Sequence, residues 1–298
     1  YIAYSNSIGK NIDNQAADSL TYSAIELQIL DNKSSEAIES LKDYIAKYPN
    51  GRNIIEANFN LANLYNDKKD AANALKHYEY VANNAPNKYA EAAILATARS
   101  YYFDKKDYTK ATEYFTQLKT YASNDENLLE AMRGLVRCQY YNKQYTEAVN
   151  NAKDLLNQRG AGTDDKVFAN LTLGKSAQEN KNYTEAITYY KQVTTLNKAE
   201  YGAEARYSIA MCQFLTNKLD DAEKTAFEVI QKSASYEFWV AKSYLLLGDI
   251  YFKQKDYFNS KATFQSVASA SSITEIVTEA RQKLAQVEAA EQAASKIN

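Results

Sequence analysis

The chain is poor in the residues that punctuate a fold, with two prolines and eight glycines in 298 residues. A strand-rich fold with many tight turns would need more of both, so almost no strand is expected. Histidine occurs once, as His77, which excludes a histidine dyad or a multi-histidine metal site by count and leaves His77 as an expected surface residue. The formal charge of −2 comes from interspersed Lys and Glu and gives no field of one sign, so the electrostatic footprint of a nucleic-acid binder is missing. No window approaches the roughly 18 uninterrupted apolar residues of a membrane-spanning helix. Glycine-rich phosphate loops, GxSxG elbows, HExxH helices and CxxC pairs are absent as well, which removes the sequence signatures of nucleotide, nucleophile and zinc chemistry. No catalytic residue, metal ligand or cofactor is implied, and the chain reads as a non-enzyme.

What is present is a spacing. Ala37, Ala74, Ala111, Ala148, Ala186, Ala222 and Ser260 follow one another at 37, 37, 37, 38, 36 and 38 residues, by subtraction. Four residues beyond each stands Leu41, Tyr78, Phe115, Ala152, Tyr190, Ala226 or Phe264, which stripes one helical face. Twelve before each lies a bulky/small pair, as in Leu61-Ala62, Leu135-Val136, Leu173-Gly174, Ile209-Ala210 and Leu247-Gly248; Ala24-Ile25 and Ala98-Arg99 depart from it. One pair of helices, A and B, is thus written seven times, at about 16–49, 52–86, 88–123, 125–160, 163–197, 199–234 and 236–271. Gly174 is expected to face the region of Ala186, where a larger side chain would overpack the crossing at about 1 to 3 kcal/mol. A polar final helix over 273–294, with the apolar stripe Ile276, Ala280, Leu284 and Val287, reads as a cap. Residues 1–14 read as the remnant of an upstream hairpin, with Tyr1–Gly9 its last helical turns; the start at Tyr1, without Met or export signal, is that expected of a processed piece. Cys138 and Cys212 fall on equivalent A positions two repeats apart and are expected as buried thiols rather than a disulfide.

The pattern resembles the tetratricopeptide repeat family: Gly248, Tyr251 and Phe264 match its small and aromatic positions, and Pro49 and Pro86 its closing proline. The resemblance implies an all-α, right-handed superhelical solenoid of seven hairpins plus cap, a single domain over 1–298, and a function in binding protein or peptide. Phrases such as KKDYTKATEYF and KQKDYFNSKATF are similar to long envelope-associated members from Bacteroides-type bacteria, which implies a periplasmic or outer-membrane-associated location and a role in cell-envelope assembly or maintenance.

In that family helix A lines the concave groove, and three of its positions point inward. They fall on Arg133, Arg137 and Tyr140 in the fourth repeat, Leu171, Lys175 and Gln178 in the fifth, Tyr207, Met211 and Phe214 in the sixth, and Ala96, Ser100 and Phe103 in the third. The resemblance therefore implies a basic centre of Arg133, Arg137 and Lys175 flanked by Phe103, Tyr140, Tyr207 and Phe214. Arg133 and Arg137 lie i and i+4 on one face, where two guanidinium groups could clamp an acidic peptide segment or, alternatively, pair with Glu130 and neighbouring repeats. The competing reading is a glycan-binding component of an outer-membrane nutrient uptake system, which predicts long aromatic-bearing insertions between hairpins. For any one of the 26 tyrosines, packing is favoured over ligand contact.

Overall fold

A computed structural model describes residues 13–295, and the described residues are all-α. The helical remnant expected at Tyr1–Gly9 lies outside them. The chain divides into two compact units between Asn142 and Lys143. The first holds α1 (Asn14–Leu30), α2 (Ser34–Lys47), α3 (Ile54–Asp67), α4 (Ala71–Asn83), α5 (Ala90–Arg99) with a π-helical turn at Ser100–Lys105, α6 (Tyr108–Tyr121) and α7 (Asp125–Tyr141). The second holds α8 (Val149–Asn157), α9 (Thr163–Glu179), α10 (Tyr183–Leu196), α11 (Glu200–Leu215), α12 (Leu219–Lys232), α13 (Glu237–Lys253), α14 (Tyr257–Ala270) and α15 (Thr274–Ser295). In each unit every helix packs on the next, the connectivity of stacked antiparallel hairpins. In the second unit α9, α11, α13 and α15 also touch in succession, so the A helices form one row. Among the described residues no helix is long and apolar enough to cross a membrane.

The repeat spacing marks buried positions. Ala37, Ala74, Ala111, Ala148, Ala186, Ala222 and Ser260 are all buried, as are Leu41, Phe115, Tyr190 and Phe264 on the same stripe. The glycines face these rings: a Cβ on Gly174 would stand 2.5 Å from the Tyr190 ring, and one on Gly248 2.5 Å from Phe264. Gly174 therefore makes room for Tyr190, one helical turn beyond the Ala186 expected opposite it. Gly134 on α7 performs the same service for Phe115 of α6, again at 2.5 Å. In α15, Ile276, Ala280 and Val287 are buried, as the capping stripe requires.

The turn inside each hairpin has its own signature. Asn32, Lys69, Lys106, Lys143, Lys181, Asn217 and Lys255 all have positive φ, between 52° and 65°. Each lies five residues before a small register residue, so the left-handed turn repeats with the same spacing as the core. It closes through an N–H that reaches back five residues, as from Asp70 to Tyr65, Asn182 to Ala177 and Asp256 to Tyr251. Asp70, Asp107 and Asp256 then accept from the N–H groups of Asn73, Lys110 and Asn259, capping helix B.

In the third hairpin the closing bond runs from Asp107 to Tyr101, six residues back. The π turn holds the extra residue. Upstream of it the buried positions shift by one: α3 buries Ala57, Asn58, Leu61 and Ala62, which are 17, 16, 13 and 12 residues before Ala74. Helix α5 buries Ala93, Ile94, Thr97 and Ala98, which are 18, 17, 14 and 13 before Ala111. Ala98 thus fills the small slot and Arg99 points outward, which explains the atypical Ala98-Arg99 pair.

Candidate functional site

The π turn corrects one set of expected inward positions. With α5 one residue out of step, Leu95 and Arg99 take the places assigned to Ala96 and Ser100, and Tyr102, which meets Tyr108 as Phe252 meets Tyr257, takes that of Phe103, itself inside the π turn. Phe103 is 62 % exposed, and its ring meets Tyr102 edge-on at 4.7 Å. Tyr102 contacts Tyr108 at 5.6 Å, Tyr108 stacks on Tyr141 at 4.8 Å, and Tyr141 meets Tyr140 at 5.8 Å. Phe103 and Tyr140 are therefore joined through one run of aromatic contacts in the first unit, with Tyr140 buried and Tyr141 partly exposed. Of the tyrosines in between, Tyr102 and Tyr108 were not singled out from sequence. Tyr108 and Tyr141 come together because one opens an outer helix and the other closes the following inner one.

The basic residues meet carboxylates. Arg133 donates to Glu130 at 3.0 Å, and Glu130 also accepts from Arg99 at 3.0 Å, so a single carboxylate bridges α5 and α7. Arg137 is half-buried close to Tyr102, whose hydroxyl pKa burial raises and the guanidinium pulls back down. In the second unit Lys175 on α9 pairs with Glu204 on α11 at 2.8 Å. Both carboxylates lie 18 residues before the small residue of their repeat. The groove cations of one repeat are thus bound by an acid at the start of the next inner helix. Asp249 and Lys283 repeat the link with reversed sign between α13 and α15, at 2.8 Å, and burial raises the Asp249 pKa despite that partner. These partly buried pairs staple successive repeats, with each charge opposed by another.

The second unit's aromatics are covered too. Tyr207 packs beside Trp239 at 5.6 Å. Phe214 carries the Lys253 ammonium over its ring at 4.9 Å.

His77 is half-buried rather than at the surface. Its ring stacks on Tyr65 at 5.9 Å, its Nδ1 lies 2.8 Å from the buried Asn58 Oδ1, and burial, helped by Lys76, pushes its pKa down to about 4. It packs as a neutral ring. The thiols of Cys138 and Cys212 are free and buried, and burial pushes both up to about 12, far from reactivity at neutral pH. Asp18, unremarked in the sequence, is buried; its carboxylate accepts from Tyr44 Oη and from the Arg52 N–H, pinning the linker between the first two hairpins. The first-turn acids Asp164, Asp165, Asp220 and Asp221 sit at helix starts, where Asp165 accepts from the Gly162 N–H at 3.0 Å. Linkers between hairpins are short, from the six residues 48–53 to the three residues 271–273, and carry no long aromatic insertion.

One described cavity adjoins these residues. It measures about 300 Å³ and lies among α3, α4 and the α5–π segment, where the alanines, Leu75 and Phe103 share its lining with the polar Asn66, Tyr78, Arg99, Ser100 and Asp104.

Comparison with known proteins matches residues 171–237 and residues 241–272 to tetratricopeptide repeats, both within the second unit. No curated protein matches the chain. Among solved structures, a tetratricopeptide repeat protein from Parabacteroides merdae is 16 % identical, covers 91 % of this chain and 98 % of its own, and has a TM-score of 0.44. A thermophilic TPR protein from Thermus thermophilus is 17 % identical over 65 % of this chain and 99 % of its own, at 0.43. The apo form of the quorum sensor NprR from B. thuringiensis is 15 % identical over 96 % and 90 %, at 0.45. Residues 171–237 and 241–272 are thus tetratricopeptide repeats, and the same spacing of buried small and aromatic residues runs through the rest of the described helices.

Proposed function

We propose that the chain is a non-enzymatic scaffold that holds a peptide or protein segment on its A helices. Repeats of this family are generally protein–protein interaction scaffolds, and the reading here rests on where apolar surface is left open. Leu20, Leu27, Leu30, Phe103, Tyr141, Leu215 and Tyr244 are exposed on inner helices or their extensions, against Tyr80, Phe227 and Phe258 on outer ones. Buried contact area from such side chains is what gives affinity to a groove where Arg99, Arg133 and Lys175 are already paired. Of the expected cations, Arg133 is held by Glu130 and Lys175 by Glu204, so contact area carries binding and these ion pairs set the shape of the surface.

A display library of random peptides, panned against the native chain and against Phe103→Ser and Leu215→Ser separately, tests this. The expected result is a peptide set enriched by the native chain and depleted at least tenfold by one of the two variants. Equal retention by native and heat-unfolded chain would sink the scaffold reading. The envelope location is proposed alongside it, on the phrases at 105–115 and 253–264, and fractionation of the source cells for this chain checks it. Recovery in the cytoplasmic fraction would remove the envelope role and leave peptide binding standing.

A further inference from the structure

Lys175 and Asp249 stand eleven residues before the small residues of their repeats, and Arg99 takes that place in the third repeat. Each is met by an opposite charge on the next inner helix: Arg99 by Glu130 at 3.0 Å, Lys175 by Glu204 at 2.8 Å and Asp249 by Lys283 at 2.8 Å. The first repeat departs from this. Eleven residues before Ala37 it carries Glu26. The place of Glu130 and Glu204, 18 residues before a small residue, is held on α3 by Glu56, a second acid. Glu56 is itself engaged by the Tyr89 hydroxyl and by Lys88. Asn60, one turn further along α3, gives its amide N–H to the Tyr22 hydroxyl at 2.8 Å. Burial raises the pKa of that hydroxyl, and Glu56 and then Glu26 raise it further, so both carboxylates act on the same spot. Among the described residues no cation pairs with Glu26.

The unbalanced carboxylate stands in a groove. With Ser23, Leu27, Ile29 and Leu30 of α1 and Asn60 of α3, Glu26 lines a space of about 510 Å³. Glu26 and Ile29 are half-buried, while Leu27 and Leu30 are exposed. The lining thus offers apolar surface, a neutral hydroxyl and amide, one negative charge and no positive one. A purely apolar occupant would strip water from Glu26 without replacing it, and an acidic one would add repulsion. Lys and Arg satisfy both parts of the lining, because their methylene stems cover apolar surface while their heads reach a carboxylate.

We propose that this groove on α1 and α3 is the anchor subsite for a Lys or Arg side chain of the bound peptide. The stem lies along Ile29 and Leu30, and the charged head meets the Glu26 carboxylate, as Lys283 meets Asp249 within the chain. The assignment rests on the scaffold reading above and adds to it the place and chemistry of the anchor.

The test is a displayed peptide library split into four pools, with the central residue fixed as Lys, Arg, Met or Glu; Met supplies the stem without the charge. Native chain should retain the Lys and Arg pools about fivefold over the Met pool, with the Glu pool lowest. Glu26→Gln should bring the Lys and Met pools to parity while the far-UV spectrum and Tm stay native. Glu26→Lys would set a lysine against Glu56 as Lys175 stands against Glu204, so it should also abolish the preference and raise Tm by about 1 °C. Equal retention of all four pools by the native chain overturns the basic anchor and leaves the scaffold standing. A Lys preference that survives both substitutions overturns the assignment to Glu26. Equal retention that turns into a Lys preference in Lys10→Gln overturns it in favour of the chain's own Lys10 as the occupant. Retention of no pool above the heat-unfolded chain overturns both readings.

Discussion

The third and fifth hairpins are written with nearly the same spacing and solve the same packing problem differently. In the fifth, α9 runs unbroken for 17 residues, Gly174 receives the Tyr190 ring, and the groove cation Lys175 is tied to the next repeat. In the third, the inner helix breaks into a π turn, Ala98 takes the small slot, and Phe115 finds its glycine in Gly134 of the next inner helix instead. Each fully buried aromatic of helix B needs one position without a Cβ, and that position can come from its own hairpin or from its neighbour. The hairpin that borrows its glycine also leaves an aromatic and a cavity open.

Removing one residue from each inner helix breaks this comparison most sharply. Upstream of the π turn, α5 already stands where a helix one residue shorter would put it, so deleting Ser100 should turn the π turn into ordinary α-helix at a cost within about 1 kcal/mol. Deleting Ser176 from α9 has no such slack. It would move Leu173 into the place of Gly174, against the Tyr190 ring, and should cost roughly 4 kcal/mol or more, enough to unfold much of the second unit. Hydrogen exchange followed peptide by peptide separates the two: protection should survive over 90–99 in the first deletion and vanish over 163–179 in the second. Similar loss in both would mean that the π turn is a packing necessity rather than an absorbed insertion.

The π turn also marks how far the sequence could be read. The hairpin order, the small-residue register, the capping stripe of α15 and the buried thiols were legible because each is a periodic or local property, and burial follows period directly. Arg99 was not, because the count of residues between Ala74 and Ala111 is the same 37 as in regular repeats and hides the shift inside the helix. The odd Ala98-Arg99 pair was the one available signal: a guanidinium in a slot that elsewhere holds Ala, Val, Ile or Gly requires the backbone to turn it away. The pairing of Arg133 with Glu130, three residues away on one helix, was among the alternatives open in the sequence, whereas that of Lys175 with Glu204 and of Arg99 with Glu130 was obscured for another reason. Two charges 29 or 31 residues apart meet only through the stacking angle of successive repeats, which a one-dimensional spacing does not contain.

A smaller change sharpens the point about glycine. Gly174→Ala gains about 1 kcal/mol of helix propensity. It also places a methyl group 2.5 Å from the Tyr190 ring, an overlap that costs about 1 to 3 kcal/mol because the ring is wholly buried and cannot retreat. Net destabilisation of about 1 kcal/mol is expected, read from urea titration, and Gly134→Ala should match it through Phe115. Adding Tyr190→Leu to Gly174→Ala should recover part of the loss, giving a coupling between the two sites of about 0.5 to 2 kcal/mol. Additive effects would show that the close approach is not what keeps the position small.

The finest comparison concerns the two turns. Lys106 and Lys181 both sit in the left-handed region, at φ of 52° and 59°, although one closes a π turn and the other an α-helix. A side chain there costs roughly 1 to 2 kcal/mol, while glycine's extra freedom in the unfolded chain takes back about 0.5 to 1. Lys106→Gly and Lys181→Gly should therefore each stabilise the chain by about 0.5 kcal/mol, measured as parallel shifts in the urea midpoint. Equal gains would place the irregularity wholly upstream of the turn, in the placement of Arg99 and the opening of the cavity. A gain at Lys106 larger by about 1 kcal/mol or more would mean that the π turn loads its strain onto Lys106, and that the geometry presenting Phe103 and Asp104 is held at the expense of the turn that follows it.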